Sequence, residues 1–140
     1  MLTLQQARTI LAAAFMQARA MDLKPLSVVV LDAGGHPLAF EREDGASVGR
    51  FEIARGKAYG CVMLGIGGAA QNKRAEAQAY FVQAMNGLYD GRFVPVQGGV
   101  LIRDANGVVL GAVGVTGDAS EHDALCGVAG IEAAGLTAEA

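Results

Sequence analysis

Charge is scarce in this chain. Asp, Glu, Lys and Arg make up 18% of its 140 residues, where globular domains average about 25%. That is thin cover for a monomer of this size, so part of the surface is expected to be buried against copies of the same chain. Basic residues are not in excess. The formal net charge is −3, which argues against a surface that tracks nucleic-acid phosphates. Cysteine is limited to Cys61 and Cys126, which form neither a disulfide framework nor a zinc pattern. Both thiols are expected to be reduced, in the cytosol. Long apolar runs are missing as well. The longest stretch without charge, Ala58 to Asn72, carries four glycines and falls short of the roughly 18 residues that would suggest a membrane span. No basic region followed by an apolar core opens the chain, so no signal peptide is expected. HExxH and Gly-Lys-Ser/Thr are absent, and with them the usual zinc and P-loop readings.

What is present is apolar and regularly punctuated. AVILMFWYC residues are 52% of the chain, ample for one core, and the length argues for a single domain over residues 1–140. Thr3 with Gln6 fits a capping box. Ala7, Ile10, Leu11, Ala14, Phe15 and Ala18 follow at helical spacing, and Pro25 marks the end. Leu26–Leu31 and Leu38–Arg42 read as two strands around the Asp32–Pro37 turn. Ser47 is placed to cap a second helix, with Glu52 in its first turn, ending at the glycines after Leu64. A third helix is predicted from about Gln71 to Asn86. Gly98–Arg103 and Val108–Thr116 flank Asn106-Gly107, a strong hairpin signal. A last helix starts near Asp118, with Asp118 and Glu121 as a second capping-box candidate. The order helix, hairpin, two helices, hairpin, helix predicts an α+β domain with an antiparallel sheet.

Gly65-Ile66-Gly67-Gly68-Ala69-Ala70 matches a dinucleotide fingerprint in letters only, since no strand precedes it. Gly56 and Gly60 lie on one helix face and suggest close packing. Lys57, among small and apolar neighbours, either snorkels to solvent or is held to meet an anion. His36 reads as an exposed turn residue. His122, between Glu121 and Asp123, is a candidate proton carrier or metal ligand. The polar residues Arg42, Glu43, Asp44, Arg50, Glu52, Arg55, Lys57, Glu121, His122 and Asp123 form either one mixed site at a rim of the sheet or a solvated charge ring.

Several ordered segments carry a resemblance: Val29–Gly35, Arg42-Glu43-Asp44-Gly45-Ala46, Ala54-Arg55-Gly56-Lys57-Ala58, Val96–Ile102 and Gly111–Gly117, with Asp123 beyond. Together they resemble the GlcG/HbpS family, the haem-binding or "haem-degrading" domain also found at the C-terminus of PduO-type proteins. The resemblance implies a profilin-like or PAS-like fold, a five-stranded antiparallel sheet with flanking helices. It also implies homo-oligomers, an octamer in the secreted branch. It places Arg42, Asp44, Lys57, Asp123 and the Gly98-Gly99 turn near one end of the sheet, with Thr116 a weak oxygen contact for a haem iron; on physical grounds His122 or His36 would serve better.

Two functions are then expected. One is a cytosolic homo-oligomer that binds a small anionic ligand, haem or a related tetrapyrrole first, through Arg42, Glu52, Lys57, Gly98, Gly99 and Thr116. The alternative is a cofactor-independent enzyme on a small carboxylate, with Lys57, Asp123, His122 and Asp44 moving the proton. A subunit of an assembly with no small ligand is the third and plainest reading.

Overall fold

Thr3 starts the first helix as its capping box predicts. Its hydroxyl accepts the Gln6 N–H at 3.1 Å, and the Gln6 side chain accepts the Thr3 N–H at 2.9 Å. The computed structural model describes residues 1–140. Helix α1 spans Leu4–Ala20 and buries Ala7, Ile10, Leu11, Ala14 and Ala18. Strands β1 (Ser27–Asp32) and β2 (Pro37–Arg42) form the first hairpin, followed by helix α2 (Arg50–Leu64). Helices α3 (Gly68–Ala77) and α4 (Ala79–Leu88) precede the second hairpin, β3 (Gly99–Arg103) with β4 (Val109–Thr116). Helix α5 (Ser120–Ala133) and the short strand β5 (Thr137–Glu139) close the chain. The five strands form one antiparallel sheet in the order β2-β1-β4-β3-β5.

Both faces of that sheet are covered. Val28, Val30, Val100, Ile102, Val113 and Val115 pack under α1 and α5, while Val29, Leu31, Leu101 and Ala112 face α2. Central strands buried on both sides are apolar at nearly every position, as β1 is. Helix α2 rests almost directly on the sheet backbone. A Cβ on Gly114 would run into the Ala54 carbonyl, and one on Gly99 into the Lys57 carbonyl and the Cys61 sulfur. Glycine is what permits that approach.

Three expectations need correction. Ser47 does not cap α2: Gly49 occupies that position, and the Ser47 hydroxyl instead accepts the Arg50 Nε–H at 2.9 Å. The helix predicted over 71–86 is two helices. The chain turns at Gln78 (φ −141°, ψ 63°), so that Phe81, Val82 and Met85 come back against Leu64 and Phe93 around a small apolar pocket. Asp118 and Glu121 make no capping box, because the Asp118 N–H donates to Asp123 at 3.1 Å and Glu121 stays exposed. Residues 137–139, which carry no local strand signal, add β5 beside β3 as the fifth strand, held by an Arg103–Glu139 ion pair at 2.6 Å.

The fingerprint-like glycines have a packing reason. Gly67 abuts the backbone of 139–140 and Gly68 that of Val96 and Gly99, between two helices rather than after a strand. Gly56 and Gly60 likewise lie under Val94 and Gln71. Because the obstacle at Gly114 is backbone, Gly114→Ala is expected to cost about 3 kcal/mol, the upper end of overpacking penalties. Gly87→Ala, in open space on α4, should be neutral or stabilising by up to about 1 kcal/mol. Urea unfolding of the two variants checks the pair; equal midpoints would mean that α2 is not seated on the strand.

Candidate functional site

The close seat of α2 decides where Lys57 goes. Its stem runs past Gly98, where an added Cβ would lie 2.9 Å from the ammonium. It emerges at the end of β4. There Nζ donates to the Val115 carbonyl at 3.0 Å and to Asp123 Oδ2 at 3.1 Å. Asp123 Oδ1 accepts the Asp118 N–H at 3.1 Å. Lys57 is 4% exposed and Asp123 0%. The ion pair therefore ties the helix on one face of the sheet to the helix on the other, around the sheet's end. Burial pulls the Lys57 ammonium below its ordinary value and pushes the Asp123 carboxyl above its own, in each case against the attraction of the partner.

The same end of the sheet collects most of the predicted residues. Arg42 pairs in register with Ser27, and Ser27 with Thr116. Direct cross-strand partners share a face, and Ser27 shares that of Val29, so all three stand on the α2 side. Arg50, on the first turn of α2, donates to Thr116 Oγ1 at 2.9 Å. Neither Arg42 nor Arg50 has a carboxylate within 4.0 Å. Between them the buried Ser27 hydroxyl has no partner. Gly98 takes φ 107°, a left-handed conformation that favours glycine, and its carbonyl accepts the Val115 N–H at 2.8 Å.

On the opposite side of this end, Asp118 organises the entry to α5. One oxygen accepts the Lys24 N–H at 3.0 Å, and the other lies 3.0 Å from His122 Nδ1. The Lys24 amide and then His122 hold the Asp118 carboxyl well below the usual carboxylate range. The His122 ring is half exposed, and Asp118 leaves its Nε2 free. Asp118 and His122 stand as a pair, and nowhere does the chain gather three His, Cys, Asp or Glu side chains able to hold a metal ion. His36 sits exposed in the β1–β2 turn, at the other end of β1. Asp44 is exposed in the turn after β2 and makes no side-chain bond.

Glu52 lies elsewhere. It lines a cleft of about 380 Å³ along the outer flank of α2, together with Arg55, Tyr59 and Arg92. The rim residues therefore share one end of the sheet, but Arg42, Lys57, Thr116 and Asp123 line neither this cleft nor the apolar pocket beside Leu64. Ser27 and Arg92 carry no ligand signal in the sequence, and Arg50 stands there only within the mixed charge cluster. The order of charges hinted at Arg50; nothing local signals that residue 92 returns to α2.

Five antiparallel strands between two helical layers, with a polar, arginine-bearing end, define a small α+β domain. This chain belongs to the HbpS-like haem-degrading protein family, whose sequence model matches residues 2–132. It is 35% identical over 130 residues to a 15.0 kDa protein from the dhaT-dhaS intergenic region of Citrobacter freundii, covering 86% of this chain and 89% of that one. A crystallised PduOC–haem complex has the same fold, with a TM-score of 0.87 over 99% of each chain at 21% identity. An HbpS double mutant from Streptomyces reticuli is similar over 94% of this chain and 85% of its own, with a TM-score of 0.78 and 27% identity.

Removing one partner of the buried pair leaves an uncompensated charge. Lys57→Met or Asp123→Leu alone is expected to cost about 3–5 kcal/mol, whereas the double variant should recover most of that loss. Urea unfolding of the three variants is the check, and two single variants as stable as the parent would overturn it. Asp118 has a lowered folded pKa, so its contribution to stability is complete above about pH 4 and is lost as the pH falls through the folded value. Asp123 is raised and works in the opposite sense. Asp118→Asn should therefore flatten the acid side of a plot of urea midpoint against pH; an unchanged slope would contradict the hydrogen bonds drawn to Asp118.

Proposed function

We propose that this protein binds haem or a related anionic tetrapyrrole as a cytoplasmic homo-oligomer, with His122 as the iron ligand and Arg42 and Arg50 meeting the propionates at contacts between copies. The observation that carries the reading is the His122–Asp118 pair. A ligating histidine characteristically gives its second ring nitrogen to a carboxylate, which sets the tautomer and makes the free nitrogen a better donor. His122 Nδ1 gives its hydrogen to Asp118, leaving Nε2 without a partner.

The donor set suits the group. Two guanidiniums without carboxylate partners match propionates in charge and in fork geometry. Thr116, buried and already bonded to Arg50, is the weaker iron ligand. The bound iron porphyrin would supply the redox chemistry; the chain supplies anchorage, charge and partial shelter from water. The kinship supports the choice of ligand, since the family is described as haem-degrading and the PduOC structure is a haem complex. Oligomer formation is supported by the low charge and by α4, which buries no residue and leaves Tyr80 and Leu88 each 71% exposed. The two free, buried cysteines suit a reducing compartment.

Acid–base catalysis on a small carboxylate has less support. Lys57 and Asp123 satisfy one another in a sealed position, and Asp44 has no polar partner to aim it. Titrating the purified protein with hemin tests the main reading. The Soret band should shift from that of free hemin and saturate at a fixed stoichiometry. His122→Ala should change the band position, His36→Ala should not, and the Arg42→Ala/Arg50→Ala double variant should bind at least tenfold more weakly. A spectrum identical to free hemin at stoichiometric protein would overturn the proposal.

A further inference from the structure

The cleft beside α2 holds charges that the rim does not use. Arg55 forms no ion pair or hydrogen bond, and its Nε is buried without a partner. A buried donor in that condition is costly until an acceptor arrives. Glu52, three residues earlier on the same helix face, is exposed and unpaired as well. Across the cleft Arg92 is already engaged. Its Nε donates to the Tyr89 carbonyl at 2.9 Å, its guanidinium lies 4.6 Å above the Tyr59 ring, and Asp90 stands 3.8 Å away. Arg92 and Asp90 neutralise one another.

One free cation and one free anion therefore face the same space. Its wall is firm: Tyr89 stacks on Phe93 with ring centroids 4.9 Å apart, Tyr59 packs against both, and the Val94 N–H is bonded to the Gly56 carbonyl at 3.2 Å. Ile53 and Val94 add apolar surface. We propose that this cleft is a binding site for a free α-amino acid, its carboxylate on Arg55 and its ammonium toward Glu52, with the side chain against Ile53 and Val94. A plain carboxylate would satisfy Arg55 but would bring like charge up to Glu52. A plain amine would reverse the conflict. Only a zwitterion answers both groups. The volume of about 380 Å³ lies within the usual range for small-ligand pockets.

The test is a thermal-shift screen of the full chain against the twenty standard L-amino acids, followed by calorimetric titration. The tightest binder is compared with its deaminated acid and its decarboxylated amine. Saturable binding with a Kd at or below about 1 mM is expected, at least tenfold weaker for each analogue. Arg55→Gln should lower affinity at least tenfold, and Glu52→Gln should erase the preference over the deaminated acid, both with unchanged circular dichroism. The Arg55 variant should titrate hemin like the parent, which separates this site from the rim. No saturable amino-acid binding, or an analogue that binds as well as its parent, would overturn the inference.

Discussion

Helix α2 lies on bare backbone. The charged residues of α2 take their positions from that contact, which the glycines at 99 and 114 permit. Bringing the helix axis close to the strands shortens the distance a side chain must cover, so Lys57 can run along the sheet and clear its end. At that end it meets Asp123 from the opposite layer. The ion pair is therefore a consequence of packing, and in return it joins two helical layers that share no direct interface. Buried pairs of this kind add little net stability over an apolar pair, whereas removing one partner alone is costly.

The same contact separates two polar regions. Residues on the sheet side of α2, Arg50 and Lys57, serve the rim. Residues on its outer flank, Glu52 and Arg55, serve the cleft. A helix places neighbours about 100° apart, so four charged residues within two turns are divided between two destinations. The sequence shows them as one cluster, and only the packing of α2 distributes them. His122 is similar: its flanking acids in sequence are Glu121 and Asp123, but its partner is Asp118, one helical turn back.

Much of the architecture was legible beforehand, for local reasons. A capping box, β-branched runs and an Asn-Gly turn each depend on residues within a few positions, and α1 and both hairpins formed where those signals stood. The features that escaped have non-local causes. The break at Gln78 has no glycine or proline to announce it; it arises because Phe81, Val82 and Met85 find apolar partners on Leu64 and Phe93. Strand β5 is three residues long and exists because β3 offers it an unpaired edge. Ser47 lost its capping role to a competing bond with Arg50.

By itself the sequence determined the class of fold, the family and the end of the sheet to which most of the shared polar residues belong, because spacing and short-range hydrogen bonding are written along the chain. Only the tertiary structure decided which charges are spent on each other and which stay free. That depends on distances between segments far apart in the chain, and on burial. Lys57 and Asp123, 66 positions apart, neutralise one another in a dry place, while Arg42, Arg50 and Arg55 are left without carboxylate partners. A charge keeps its capacity to bind a ligand only where the fold withholds a partner.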